Sequence, residues 1–540
     1  MPNLNLFAST KGRLAPKTDT VNEAGGRAYA LSNEDALAQL VATGTLNDTY
    51  YADASTQLDT ILKMAEGCST EFVAQVAIYG RQKAWMKDTP ALMLAHLASR
   101  GPEGVQAMKR AFPLVVDNGR MLRGFMQILR SGVTGRKSMG TAIKRMVRGF
   151  IEERSPYGLF NDAIGNDPSM GDIIRLARPR PKDDMRRALY GYIAGRNPEA
   201  RVCQKTGRQL QGYKPEALPD FIKSFEAYKV SKDGEVPDVQ FRYLTQLALG
   251  TAEWTTIARR APWTMTRMNL NTFKRHGVFE SPELVKIIAD RLRDPALVKK
   301  ARVFPYQLQM AYTATTDVPH AIREALQDAM EVATESIPSF EAKKVYVMVD
   351  VSGSMDSPVT GTRKGSTTAV QCVDAAALFA SCVLRVNRDA EVIPFHNKVE
   401  HVVLNPRDTV LTNAQKLRNL PRGGTSLSAP LTLLNQRKAM GDLIIYVSDN
   451  ESWCDGGRAA AWDGSNATET MRAWNIFKAR NPGAKMVCIN LQPYASTQAK
   501  SDHDILNVGG FSDTVFEVIA SFVKGGSPDF WAKHIRGVTS

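Results

Sequence analysis

The stretch Lys344-Val345-Tyr346-Val347-Met348-Val349-Asp350-Val351-Ser352-Gly353-Ser354 marks a change of grammar within a chain of 540 residues. Residues 344–350 form a short, almost wholly apolar run, as a strand buried on both faces of a parallel sheet requires. The turn directly after it reads Asp-x-Ser-x-Ser. Downstream, an Ala-rich helix is predicted from about Thr368 to Arg388, strands at Glu391–Phe395 and Val399–Leu404, and helices at Thr412–Leu420 and Leu427–Gln436. A strand at Leu443–Val447, a helix at Glu469–Arg480, a strand at Lys485–Asn490 and a last helix at Thr514–Val523 follow. Strand and helix in turn predict a doubly wound α/β domain over residues 341–540.

Upstream, residues 1–340 read as helix after helix. Apolar residues recur at three- and four-residue spacing, as in Leu58, Ile61, Leu62 and then Phe72, Val73, Val76, Ala77. Prolines 90, 102, 113, 156, 215, 262, 282 and 305 stand where helices should begin or end. Many helices of about 12–18 residues without strands predict a stacked helical array rather than a compact bundle.

Hydrophobic residues at 43% and charged residues at 23% exclude a disordered or collagen-like chain. The six cysteines include no CxxC pair, which argues against a disulfide framework or a structural zinc site. Met1–Phe7 lacks the basic start and apolar run of a signal peptide, and no apolar stretch approaches the ~18 residues that cross a bilayer. The expectation is a soluble cytoplasmic protein.

The net charge of +14 is unevenly placed. Residues 1–340 hold 47 Lys and Arg against 36 Asp and Glu, whereas 341–540 hold 22 against 19. Residues 101–150 alone hold ten basic and two acidic residues. A basic excess concentrated in segments favours a polyanionic partner, because each phosphate neutralised releases condensed counterions. Lys137, Thr141, Lys144, Arg145 and Arg148 fall at helical spacing on one face, with Ile143, Met146, Val147 and Phe150 opposite and buried. Arg175 and the extended run Arg178-Pro179-Arg180-Pro181-Lys182 form a second candidate RNA-binding segment, and Arg259, Arg260, Arg267, Lys274 and Arg275 a third.

Ligands of an open α/β sheet sit at the carboxyl ends of its strands. Three polar turns belong there: Asp350-Val351-Ser352-Gly353-Ser354, Gly423-Gly424-Thr425-Ser426, and Ser448-Asp449-Asn450-Glu451. Two carboxylates and several hydroxyls are hard oxygen donors, suited to Mg²⁺ or another divalent cation whose shell is completed by water or an incoming acidic ligand. The plainer reading is that these residues only make turns and cap helices.

This half resembles a von Willebrand factor A domain. The resemblance implies a metal-ion-dependent adhesion site at Asp350, Ser352, Ser354, Thr425 and Asp449. Further landmarks make the whole chain similar to the Ro autoantigen family, in which a ring of helical repeats (the TROVE module) is closed by such a domain. They are Thr89-Pro90-Ala91-Leu92-Met93-Leu94, Ile174-Arg175-Leu176-Ala177-Arg178-Pro179-Arg180-Pro181, Lys299-Lys300-Ala301-Arg302-Val303-Phe304-Pro305, Val447-Ser448-Asp449-Asn450-Glu451 and Pro482-Gly483-Ala484-Lys485-Met486-Val487-Cys488. The resemblance implies an all-α HEAT-like ring over 1–340, a von Willebrand factor A domain over 341–540, and a monomeric ring. It also implies small noncoding Y RNA on the ring surface and single-stranded 3′ ends of misfolded RNA in its hole. A bacterial-type member would scaffold an exoribonuclease, polynucleotide phosphorylase. Some vertebrate members have a His where Arg178 stands, and further basic residues where this chain has Asn161-Asp162-Ala163-Ile164-Gly165.

Other signals carry less. Gly132-Val133-Thr134-Gly135-Arg136-Lys137-Ser138 has the wrong glycine spacing for a phosphate-binding loop and reads as an interhelix loop. No HExxH or Ser-His-Asp set is recognisable, and Asp350-Val351-Ser352 lacks the second Asp of an Asp-x-Asp phosphatase motif, so no catalytic residue is assigned and a nuclease or phosphatase is disfavoured. Trp453, Trp462, Trp474 and Trp531 are expected in the core. The alternative to RNA binding is a protein-interaction module whose metal accepts a partner's carboxylate.

Overall fold

The computed structural model describes residues 15–196, 198–199, 201–202, 209–210, 212–232, 234–335, 337–362, 370–454, 467–510, 513–527 and 529–539. Cys203, Trp462 and Thr368 lie outside the described residues. Among the described residues, ten strands run in chain order as β1 Thr20–Val21, β2 Arg27–Ala30, β3 Arg201–Val202, β4 Gln209–Leu210, β5 Val345–Asp350, β6 Glu391–Phe395, β7 Leu443–Ser448, β8 Lys485–Asn490, β9 Ser496–Thr497 and β10 Ile505–Gly509.

Five of them form one parallel sheet in the order β10-β8-β7-β5-β6. Every residue of β5, β7 and β10 is buried, as a sheet covered on both faces demands. Side chains alternate between faces, so Tyr346, Met348, Ile444, Tyr446, Met486 and Cys488 share one core with Trp474 and Phe477 of the helix Glu469–Arg480 and Leu431 and Leu434 of Ser428–Gln436. The helix Cys372–Val386 packs on β5, β6 and β7. Its run Ala375-Ala376-Ala377 and Ala380 keeps it slim enough to lie close. Phe379 stacks on Phe516 at 4.4 Å between ring centroids.

Four sequence expectations change here. Val399–Leu404 is no strand: Val399 makes one bridge to Phe395, the chain folds back, and Val403 is left exposed. The strand β10 and the helix Phe530–Thr539 have no counterpart in the sequence expectations. Asn507 hid β10, because an amide mid-strand reads as a loop; its Nδ2 donates to Ala499 O at 2.8 Å and its Oδ1 accepts from Thr497 at 2.6 Å. The helical half also holds strands: β1 pairs with β2, β2 with β9, and β3 with β4. Trp474 and Trp531 are buried as expected, but Trp453 is 51% exposed. It lies on the loop after β7, where a Cβ at Gly424 would meet its ring at 2.8 Å.

The compact units do not follow the change of grammar at residue 341. One comprises the residues up to 89 together with 289–540; the other comprises 90–288. The first join is made by β2, whose Tyr29 is fully buried in the sheet's core cluster. Tyr29 Oη donates to Pro16 O at 2.7 Å and accepts from Thr468 N at 3.3 Å.

Within 90–288, helices stack on helices two places along the chain. Gly101–Val115 packs on Gly140–Glu153, which packs on Met170–Ala177; Gly119–Ser131 packs on Pro156–Asp162, which packs on Asp184–Ile193. Ser155, Ser169, Asp183 and Asn118 cap these helices by accepting from first-turn N–H groups. Asp162 pins the junction: it accepts from Gly119 N at 2.8 Å and from Arg154 Nε at 2.6 Å. A Cβ at Gly119 would stand 2.5 Å from Asp162.

Tyr29→Phe should lower unfolding stability by about 1–3 kcal/mol, because it strands a buried N–H, and Tyr29→Ala by about 3–5 kcal/mol. Urea unfolding followed through the sheet domain's tryptophans checks this; no effect would mean that β2 is not part of that core.

Candidate metal centre and nucleic-acid interface

The three polar turns meet at the carboxyl edge of the sheet. Asp350 ends β5 and is fully buried. One carboxylate oxygen accepts from Ser352 N at 2.8 Å and the other from the Ser448 hydroxyl at 2.5 Å. The hydroxyls of Ser352 and Ser354 lie 3.3 Å apart. Gly353 N donates to Gly423 O at 2.9 Å, which ties the second turn to the first. Thr425 is buried, and its carbonyl accepts from the N–H groups of Trp453 and Cys454 beyond β7. All five predicted metal-site residues therefore lie buried in turns that these bonds join, or at the end of β7 beside them.

Burial, and next the charge of Asp449, push the Asp350 carboxyl up to about 7. Burial also raises Asp449, whose Oδ2 is buried without a hydrogen-bond partner. Paired carboxylates withdrawn from water, with an orphaned oxygen and serine hydroxyls beside them, fit a hard divalent cation.

The expected ligand set omits two neighbours. Glu451 is fully buried, and its carboxyl is held well above the usual range by burial and then by Asp449. Its Oε2 accepts from Ala24 N at 3.1 Å, and Asn22 Nδ2 donates to Ser452 O at 2.9 Å, so the β1–β2 hairpin covers this edge. Tyr51 also belongs to this edge: its phenol is raised by burial and next by the charge of Asp449. Glu451 adjoins the Asp449 motif and was legible; Tyr51 is some 300 residues from Ser354 in the chain and was not. Elsewhere among the described residues, Asp502, His503 and Asp504 bring three carboxylate or imidazole ligand atoms within 4.8 Å of one another. Asp504 there is paired with Lys478 at 3.0 Å.

The cationic candidates lie in residues 90–288. Lys144, Arg145 and Arg148 line a concavity of about 620 Å³ with Arg130, Ser138, Met139, Gly140, Thr141 and Leu176. No described lining residue is acidic. The concavity opens on the first turn of Gly140–Glu153, whose N-cap, Met139, makes no side-chain cap bond; such a helix end attracts anions. Arg130 closes the preceding helix and was missed, though it belongs to the basic segment 101–150. Lys137 is corrected: it stands in the loop before the helix rather than on its face, and its stem fills the space a Cβ at Gly132 would need. Ile143 and Val147 are buried, whereas Met146 and Phe150 are only half-buried, because Ile151 takes the inner position.

The two expected basic segments join. Arg148 Nε donates to Ala177 O at 2.5 Å, one residue before Arg178, and Arg180 N donates to Glu152 at 2.8 Å. Arg178, Arg180 and Lys182 are exposed. Arg175 is exposed but held, by Asp172 at 2.8 Å and by the carbonyl of Ala194. In the third patch Arg259 pairs with Glu283 at 2.8 Å and Arg260 with Glu235, which withdraws their charge from a ligand. The segment 132–138 is an interhelix loop, as expected; Arg136 ties it down through the carbonyls of Ala98, Ser138 and Met139.

The folded protein holds the Asp350 proton more tightly than the unfolded chain, where the group titrates near 3.8. The stability this proton confers is complete below that value and is lost as pH rises through about 7. Metal-free protein in chelator should therefore lose stability over that window, Asp350→Asn should flatten the loss, and Mg²⁺ should stabilise more near neutrality than in acid. Urea midpoints against pH measure this; equal slopes for the two proteins would contradict the burial argument.

Residues 344–523 match the family model of the Ro60 vWA domain. Over 563 aligned positions the chain is 24% identical to the RNA-binding protein RO60 of Deinococcus radiodurans, covering 96% of this chain and 99% of the relative. A crystal structure of the Deinococcus radiodurans RO (RSR) protein superposes with a TM-score of 0.60 at 20% identity, over 91% of this chain and 99% of that one. The fold is thus of Ro type: a helical amino-terminal region followed by a von Willebrand factor A domain.

Proposed function

We propose that this chain, having the Ro-type architecture, is an RNA-binding protein that grips phosphate backbones through the cationic concavity and breaks no bonds itself. The observation that carries the reading is the convergence of Arg130, Lys144, Arg145 and Arg148 on an uncapped helix end, with no acidic residue among the described lining residues. Guanidinium groups and backbone N–H donors hold phosphate. Arg178, Arg180 and Lys182 extend the same face beyond the concavity. The similarity to an RNA-binding protein, which spans nearly all of both chains, supports the assignment.

The finer reading follows the Ro resemblance: small noncoding Y RNA on the outer surface, single-stranded 3′ ends of misfolded RNA as further ligands, and RNA quality control in the cytoplasm. In it, polynucleotide phosphorylase is recruited through the RNA. Asp350, Ser352, Ser354, Thr425 and Asp449 would hold Mg²⁺, which supplies a Lewis-acidic position for an oxygen ligand.

Binding of a small structured RNA with a single-stranded tail should weaken steeply with salt. Lys144→Gln with Arg145→Gln should reduce the log–log slope by about 0.7–0.9 for each phosphate that is no longer neutralised. A flat salt dependence, or a slope indifferent to both substitutions, would sink the assignment.

A second reading draws on the orphaned Asp449 oxygen: the metal accepts a carboxylate from a protein partner. The two readings separate by co-purification of polynucleotide phosphorylase with the intact chain. Under the first, ribonuclease abolishes it and chelator does not; under the second, chelator or Asp350→Ala abolishes it and ribonuclease does not.

A further inference from the structure

In the unit formed by residues up to 89 and from 289 onward, a cavity of about 390 Å³ lies apart from both sites above. Its polar lining is Gln82, Lys83, Lys299, Arg302, Thr514 and Glu517, and its aromatic wall includes Trp85. Three cations face one carboxylate there. Trp85 follows the helix Thr70–Gln82 with a φ of 59°, and Arg302 follows Pro295–Ala301 with a φ of 47°. Left-handed positions after helices usually fall to glycine, because L side chains rarely adopt them. Both here carry large side chains, and both side chains line the same cavity. The Arg302 guanidinium stands 5.7 Å from the centre of the Trp85 ring.

Trp85 is 38% exposed, so core packing does not account for it. The surrounding backbone is nevertheless fixed: Met86 N donates to Gly80 O at 2.8 Å, and the Thr514 hydroxyl donates to Lys83 O at 2.8 Å. Strained positions held by a rigid surround are where binding sites are found. The volume falls within the range of small-ligand pockets, about 300–1,000 Å³.

We infer that this cavity binds one unpaired nucleotide, its base stacked on the Trp85 indole and its phosphate held by Lys299 and Arg302. An indole face accepts any base, and the guanidinium beside it offers a planar fork of donors to phosphate oxygens. Glu517 can accept from an exocyclic amino group. The nucleotide can arrive free or as part of a single strand; the chemistry recognised is the same. This site shares no residue with the cationic concavity, so either can fail alone.

Titration calorimetry of the full chain with adenosine monophosphate, a short oligoadenylate and inorganic phosphate tests the assignment. Trp85→Ala should weaken oligoadenylate binding by roughly 5- to 100-fold, and Trp85→Phe by less, with the unfolding temperature retained in both. Arg302→Gln should also weaken it, which decides the matter should Trp85→Ala fail to fold. Monophosphate binding with the same dependence on Trp85 identifies a free-nucleotide site; binding of the oligonucleotide alone identifies a strand site. Phosphate binding as tightly as either nucleotide, or an affinity that depends on Lys144 and Arg145 but not on Trp85 and Arg302, overturns the inference and leaves the concavity's role intact.

Discussion

Two carboxylates brought out of water at the end of a parallel sheet are the constraint around which the carboxyl-terminal unit is arranged. Burying an ionised group is costly unless hydrogen bonds or a cation compensate it. Asp350 is met by an N–H from Ser352 and a hydroxyl from Ser448. Asp449 receives an N–H from Glu451 at 3.3 Å on one oxygen and nothing on the other. Serine, threonine and glycine fill the adjoining turns because their short side chains let three loops approach one point. The amino-terminal hairpin answers the same constraint: its Ala24 N–H reaches the buried Glu451.

That arrangement explains why a segment more than 300 residues upstream folds with the sheet. Tyr29 supplies a large apolar surface to one face and a hydroxyl that satisfies Thr468 N. The helix Asn33–Ala42 then packs on β10, with seven buried residues. The carboxyl-terminal domain thus uses the beginning of the chain as part of its own core.

In residues 90–288 the governing effect is the reverse, the exclusion of compensating charge. Elsewhere in that unit cations are neutralised by neighbours, as Arg259 is by Glu283 and Arg154 by Asp162. Around the first turn of Gly140–Glu153 they are not paired with carboxylates among the described residues; Arg148 spends its Nε on a carbonyl and keeps its charge. A helix end without a side-chain cap, set among guanidinium groups, carries a positive potential that favours anions.

Local sequence was enough to specify the parallel sheet and its ligand edge. Unbroken apolar runs at 345–349, 443–447 and 486–489 leave no other way to bury both faces, and the Asp-x-Ser-x-Ser turn must follow the first of them. Lys144, Arg145 and Arg148 were equally legible on one face, since helical spacing is local. Features that rest on distant partners emerged only with folding. Asn507 could enter a strand only because Thr497 and Ala499 satisfy its amide. Lys137 left the helical face because Arg136 anchors its loop to Ala98. Glu451, Tyr51 and the amino-terminal hairpin meet the metal edge, and Trp85 meets Arg302, across separations that no sequence period encodes; only the folded chain brings them within reach of a hydrogen bond or a ring face.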